Sequence, residues 1–320
     1  MYDIITIGEI LVEILTEKLN QEFSAPGTLL GPFPSGAPAI AIDQAARMGA
    51  KTAIIAKIGA DDFGLLNRER LRRDGVDVSY IVETAENVTG TAFVTYFQDG
   101  SRKFIFHFTH AACGELCPAD VKEELVKNTK YIHIMGCSVT GSPDMGEAII
   151  RAARLAKKHN VGISFDPNIR PELLRGRIMD YYREIIDYAD ILLTGRNELA
   201  FIFNETDSAI RRLLEQKDRI IVIKNGAEST RVYTRREAFA VAPFPAVTVD
   251  ATGAGDSFDG TFLALLCRGA DLRTAAIYGN AAGAKAVTKR GPMEGNTGLS
   301  ELEEFIGENS HISAEDMEML

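Results

Sequence analysis

The chain has 320 residues, 46% hydrophobic and 25% charged, with a formal net charge of −10. That balance is ordinary for a globular protein, and no apolar run approaches the roughly 18 residues of a membrane span. Net negative charge, with no basic cluster beyond short runs such as 68–73 and 235–236, repels nucleic-acid phosphates, so neither membrane nor nucleic acid is expected as a partner.

In chain order, residues 2–15 alternate and then fill with Ile, Val and Leu. They predict one buried strand that Gly8 interrupts where another backbone or a ligand approaches, with Glu9 and Glu13 as its acids after Asp3. The N-terminus has no basic leader or small-residue cleavage site, which predicts a cytoplasmic location. GPFPSG reads as a loop opening a helix that ends at Gly49. KTAIIAKIG predicts a strand, with Asp61 and Asp62 as turn formers after it. Residues 89–108 alternate around Asp99-Gly100, a hairpin signal, and such strands beside polar loops suit a small lid sheet. After a helix near 118–127, strands at 131–135, 162–166, 191–193 and 220–224 alternate with helices such as 145–158. This alternation predicts a mainly parallel sheet covered on both faces, with ligands at the strand C-termini. Asp166-Pro167-Asn168 reads as a turn at one such end, and Asn197 suits a helix N-cap at the next. Cys113, Cys117, Cys137 and Cys267 complete no four-ligand metal set and read as structural thiols. The tail after Gly307 is acidic and is expected to fray.

The most informative stretch is PFPAVTVDATGAGDSFDGTFLALL, 243–266. Val247 and Val249 predict a short strand, Gly253, Ala254 and Gly255 a turn, and Phe258, Phe262, Leu263, Leu265 and Leu266 a helix. Glycines ahead of a helix leave its first N–H groups approachable, and the helix dipole adds positive potential, so the turn suits a phosphate. Asp256 at the helix start reads either as an N-cap or, beside a bound phosphate, as the acceptor of a proton from an attacking hydroxyl. Asp250 is a second carboxylate nearby. No G-x-x-x-x-G-K-[ST] motif is present, so a P-loop lysine cannot hold the phosphates.

The run D-A-T-G-A-G-D closely resembles the DTGAGD signature of the ribokinase-like (PfkB) sugar kinases, and matches to that family extend over residues 3–306. The resemblance implies an α/β fold: a three-layer α/β/α ribokinase-like domain over 1–320, with a small β-sheet lid drawn from about 10–30 and 89–110. It implies ATP and Mg2+ as cofactors, a monovalent cation such as K+, and a small sugar as partner. By family match, Asp256 is the catalytic base and the amides of Gly253, Ala254 and Gly255 form the anion hole. Glu13, Gly36, Arg102, His107 and Arg170 fall on the sugar side, although Ile40 stands where the family has Asn. Lys224, Gly226 and Asn280 match the nucleotide side, Glu198 a Mg2+ contact through water, and Asp250 with Thr252 the cation loop near Gly291. In the N-x-x-E motif of Glu198, Gly195 replaces Asn. DPNIRPELL is most similar to fructokinases and 2-keto-3-deoxygluconate kinases. His107 stands where a second family Arg is usual, before Ala111-Ala112, so less positive charge is expected and a neutral ketohexose is favoured over a keto sugar acid. A nucleoside kinase and a non-catalytic sugar-binding relative are the remaining alternatives. Lid strands expose edges, and a homodimer through the lid is expected.

Overall fold

A computed structural model describes residues 1–174 and 178–309, and the acidic tail beyond them lies outside the described residues. The first strand, β1 (Tyr2–Ile7), is followed after Gly8 by β2 (Leu11–Thr16), and the two belong to different sheets. The single strand expected over 2–15 is therefore two. Gly8 (φ 155°) makes the break, and a Cβ there would lie 2.4 Å from the Ser138 hydroxyl.

Next come β3 (Leu29–Ser35), α1 (Ala37–Arg47), β4 (Thr52–Gly59), α2 (Asp62–Arg73), β5 (Val76–Asp77) and β6 (Ile81–Thr84). The segment expected as a loop before α1 is thus mostly strand. Pro32 and Pro34 fit there because β3 is an edge strand, where a missing N–H breaks no central ladder. Asp61 caps α2, accepting from the Gly64 amide at 2.8 Å, as a turn former should.

The hairpin β7 (Gly90–Tyr96) and β8 (Arg102–His107) follows, then α3 (Glu123–Lys127), β9 (Thr129–Met135), α4 (Pro143–Lys158), β10 (Gly162–Asp166) and α5 (Ile178–Tyr188). The chain continues through β11 (Ile191–Gly195), α6 (Arg196–Phe203), α7 (Asp207–Gln216), β12 (Ile220–Lys224), β13 (Thr230–Tyr233) and β14 (Ala238–Val241). It closes with α8 (Ala254–Cys267), α9 (Leu272–Ala286) and α10 (Leu299–Glu308).

The large sheet runs β14-β13-β12-β11-β10-β9-β1-β4-β5, parallel except where β13 and β14 turn back, with β6 on β4. Side chains of successive residues go to opposite faces. Ile5, Ile7, Ile55 and Ile221 join a core under α3 to α7, whereas Ile4, Ile54, Ile58 and Val222 join another under α1, α2 and α8 to α10. Both faces are therefore dry, and the site must lie at an end of the sheet. The separate small sheet, β3-β2-β7-β8, stands over that end.

Residues 242–249 form no strand. Val247 is 83% and Val249 49% exposed, and Pro243 and Pro245 deny the segment ladder donors, which is why the alternation there does not become a strand.

Candidate active site

Helix α8 starts at Ala254, with Gly253 as its N-cap in left-handed conformation (φ 81°). A Cβ on Gly253 would lie 2.3 Å from the Pro292 carbonyl oxygen, so only glycine fits. No side chain caps this helix, which leaves its first amides available to an anion. Asp256 is in the first turn and is not the cap. Its carboxylate is buried and Oδ1 accepts from Asn168 Nδ2 at 3.1 Å. Burial pushes its pKa up to about 7 against the opposing pull of the Arg170 guanidinium.

Asp256 lines a polar cavity of about 240 Å³ between the large sheet and the lid. Glu13, Gly36, Arg102 and Arg170 line it too, as expected on the sugar side. Burial, then the Asp250 charge, pushes Glu13 up to about 8, and its Oε1 has no hydrogen-bond partner. Gly36 (φ 113°) lets α1 start against the Glu9 carbonyl, which a Cβ would approach to 2.5 Å. Neither Arg102 nor Arg170 forms an ion pair among the described residues. Arg102 donates to Thr252 Oγ1 (3.0 Å) and Arg170 to the Ile169 carbonyl (3.5 Å).

His107 is not part of this wall. Along β8 the half-buried Arg102, Phe104 and Phe106 alternate with exposed Lys103, Ile105 and His107, so the two-residue period that brings Arg102 in turns His107 out. Of the two expected sugar-side residues on β8, Arg102 lines the cavity and His107 does not.

Asp250 and Thr252, expected in the cation loop, are both hydrogen-bonded within the protein. Asp250 Oδ1 accepts from Tyr96 Oη (2.5 Å) and the Thr252 amide (2.9 Å), and Oδ2 from the Gly291 amide (3.0 Å). The Thr252 hydroxyl accepts from Arg102 Nη1 (3.0 Å) and lies 3.0 Å from Tyr96 Oη, so the same tyrosine meets both residues.

Glu198 lines the same cavity from the first turn of α6. Its oxygens accept from the Ile169 and Gly195 amides, each at 2.7 Å. A carboxylate has about four acceptor positions, so this one retains capacity for a water of a hydrated Mg2+. No cluster of three His, Cys, Asp or Glu suited to bind a metal directly exists among the described residues. Gly195, not Asn197, caps α6, and Asn197 is exposed.

A larger, mostly apolar cleft of about 710 Å³ lies on the other side of the α8 start, with Gly226, Phe244, Phe258 and Asn280 in its wall. Lys224 and Gly255 line both spaces. The Lys224 ammonium is turned inward, 2.9 Å from Asp166 Oδ2 and 2.8 Å from Asp259 Oδ1, so it does not offer a free charge to a nucleotide. Asn280 likewise uses its amide within the protein, accepting from Thr230 Oγ1 (2.6 Å) and donating to the Ala242 carbonyl (2.8 Å). Both residues shape the cleft instead of reaching into it.

Sequence reasoning missed Glu9, Asn168, Asp166, Asp259 and Tyr96 as parts of this site. Asp259 carried a usable signal, since its spacing from Asp256 puts both on one helix face. Tyr96 carried none, because a hairpin tyrosine is ordinary.

The model of the pfkB family carbohydrate kinases matches residues 1–297. Among curated relatives, probable fructokinase-3 of Arabidopsis thaliana is 32% identical over 307 residues, 91% of this chain and 87% of that one. The 5-dehydro-2-deoxygluconokinase of Bacillus subtilis is 27% identical over 313 residues, 95% of this chain and 96% of that one. An E. coli protein provisionally named ribokinase II, solved with ATP and Mg2+, is 41% identical with a TM-score of 0.91, over 96% of this chain and 100% of that one.

Proposed function

The chain belongs to the pfkB family of carbohydrate kinases, and from that premise we propose that it transfers the γ-phosphoryl group of ATP to a primary hydroxyl of a six-carbon keto sugar acid. One observation carries this reading. Asp256 and the uncapped amides of α8 stand where the polar cavity meets the apolar cleft, with Gly255 in both walls. Sugar in the first and nucleotide in the second bring hydroxyl and γ-phosphate together at that carboxylate.

In the proposed step Asp256 takes the proton of the sugar hydroxyl as its oxygen bonds to the γ-phosphorus. The bond from that phosphorus to the β–γ bridging oxygen breaks, and ADP carries the electron pair away. The amides of 253–255 stabilise charge on the transferred group. Mg2+, held through water at Glu198, would neutralise phosphate charge.

The sugar acid is favoured because two unpaired guanidinium groups, Arg102 and Arg170, face one small cavity in which Glu13 is largely protonated at neutral pH. A neutral fructose-like ketose is the second reading, favoured by the fructokinase relatives. A dimer through the outer lid strands also belongs to this proposal, supported by Leu29 on β3 and Ile105 on β8, 43% and 48% exposed. Sedimentation velocity tests it, and a monomer at micromolar concentration refutes it.

The function is tested by ADP release with ATP and Mg2+ against 5-dehydro-2-deoxygluconate, 2-keto-3-deoxygluconate, fructose and adenosine. Turnover of the acids above fructose is expected, and turnover of adenosine alone would overturn the proposal. Asp256→Asn should lower kcat by about 10²- to 10⁴-fold with ATP affinity unchanged, since Asn keeps the shape and loses the proton acceptor.

A further inference from the structure

Asn168 follows β10 in a left-handed conformation (φ 41°), its amide donating to Asp166 Oδ1 at 2.9 Å. Asn tolerates that conformation better than most residues, so the Asp-Pro-Asn turn alone would explain its presence. The side chain shows more. Nδ2 donates to Asp256 Oδ1 at 3.1 Å and lies 3.9 Å from Met135 Sδ. Oδ1 is buried without a hydrogen-bond partner, in a side chain that lines the polar cavity. The amide orientation follows from its neighbour, because the reverse one would set oxygen against carboxylate oxygen.

An orphaned buried acceptor costs stability unless something completes it. Within a cavity whose other members suit a polyhydroxylated substrate, a sugar hydroxyl is the donor that completes this one. At the same time the N–H bond to Oδ1 leaves Asp256 Oδ2 as the oxygen with no hydrogen-bond partner among the described residues.

We infer that Asn168 is a positioning residue for phosphoryl transfer: its amide N–H fixes Asp256 so that Oδ2 receives the proton of the reacting hydroxyl, while its amide oxygen holds a neighbouring sugar hydroxyl. The inference rests on Asp256 being the base, and it deepens that reading by assigning what aims it. Asp166 sets the Asn168 backbone, and Lys224 in turn holds Asp166 at 2.9 Å. The charged and titratable groups that face Asp256 are Arg170 and Asp166 from the β10 end, Lys224 from the β12 end, Glu9 after β1 and Cys137 after β9.

Two variants separate positioning from turn geometry. Asn168→Gly keeps the left-handed backbone and removes only the amide, whereas Asn168→Asp keeps the turn chemistry and puts an acceptor where the donor was. Both are assayed as full-length protein with ATP and Mg2+, using 5-dehydro-2-deoxygluconate and fructose, beside Asp256→Asn and wild type.

For Asn168→Gly, kcat should fall about 10- to 100-fold and the sugar KM should rise, with the ATP KM and Tm little changed. Its acid limb should move to higher pH, because a carboxylate that loses a donor binds its proton more tightly. For Asn168→Asp, wild-type-like geometry needs one proton shared between the two carboxyls. Activity should therefore be bell-shaped in pH, falling on the alkaline side where wild type stays level.

If Asn168→Asp matches wild type at every pH, Asn168 is a turn residue and the inference is overturned. The same holds if Asn168→Gly keeps kcat while Asp256→Asn is inactive. If Asp256→Asn itself turns over normally, the reading of Asp256 as base fails instead. Should Asn168→Gly prove unstable, the pH profile of Asn168→Asp decides alone.

Discussion

Asp256 is, on the proposed mechanism, a carboxyl whose burial serves the chemistry at a cost to the fold. With a folded-state pKa of about 7 against about 3.9 for a free Asp, it is protonated over much of the acid range and ionised above neutrality. If Asp256 is the base it must be ionised, so wild-type kcat should rise with pH through about 7 to a plateau, read from initial rates under saturating substrates. Stability runs the other way. A raised pKa contributes stability that is full below the unfolded value and lost as pH rises through the folded one, on the order of a few kcal/mol for this shift. Asp256→Asn should therefore raise Tm at pH 8 while abolishing most turnover, and a lowered Tm at that pH would contradict this account. Arg170 poses the substrate question at the same scale. If the substrate is a keto sugar acid, Arg170→Ala should cost about 2 to 5 kcal/mol in kcat/KM for the acid and much less for fructose, and equal losses would return the preference to a neutral ketose. Chemical identity at this scale was legible where a motif spelled it out: Asp256, Glu13 and Arg170 line one cavity. It was not legible where facing depends on strand register. His107 and Arg102 differ by an odd number of positions along β8, and no property of either residue alone says which one turns inward.

The lid hairpin shows what an element adds. β7 and β8 reach the glycine turn through three contacts, Tyr96 Oη to Asp250 Oδ1 and to Thr252 Oγ1, and Arg102 to Thr252 Oγ1, Asp250 and Thr252 being the two residues that frame its start. On the proposed function, a small sheet tied to the residues ahead of the glycine turn would link its closure to the place where charge develops. Tyr96→Phe removes both ties of its hydroxyl, to Asp250 and to Thr252, and leaves Asp250 Oδ1 with its remaining amide partner. The expected result is a severalfold higher sugar KM and more ATP hydrolysis without sugar, because water is less well excluded from the γ-phosphate. Unchanged KM together with unchanged sugar-free hydrolysis would dispose of the link. Hydrogen exchange over 90–107 should slow when sugar is added to the wild type and slow less in the variant. The hairpin itself was plain in the sequence from alternation around Asp99-Gly100. Its contacts were not, since Tyr96 and Asp250 are far apart in the chain and meet only because the small sheet stands over the strand ends. The same reason explains the misread segments: a run of Ile, Val and Leu gives no warning that Gly8 will send its second half into another sheet, or that prolines after Gly31 mark an edge strand.

Over the whole molecule, the doubly covered sheet was readable because strand and helix alternate and successive strand residues are apolar on both faces, Ile4 and Ile5 being the simplest pair. What the pattern could not announce is the buried ionic cluster where β10, β12 and α8 meet. Lys224 lies between Asp166 and Asp259, whose side chains are 3% and 0% exposed, and His133, held down to about 4 by burial, is 3.9 Å from Asp259. A buried pair of this kind is weak evidence for stability, but breaking it is costly because charge is left unpaired. Lys224→Met should destabilise the protein by about 3 to 5 kcal/mol in urea unfolding at pH 7.5, as Asp166 and Asp259 then face each other without a cation. Adding Asp259→Leu should recover much of that loss, since only one acid remains and the Asn168 amide still donates to it. The pH dependence has a definite sign. Lys224 holds the Asp166 carboxyl below the usual range, a contribution present above the unfolded pKa of about 3.9 and lost as pH falls below it. The gap between wild type and Lys224→Met should therefore narrow toward pH 3.5, and a gap that is constant with pH would mean that Lys224 stabilises by packing and not by charge.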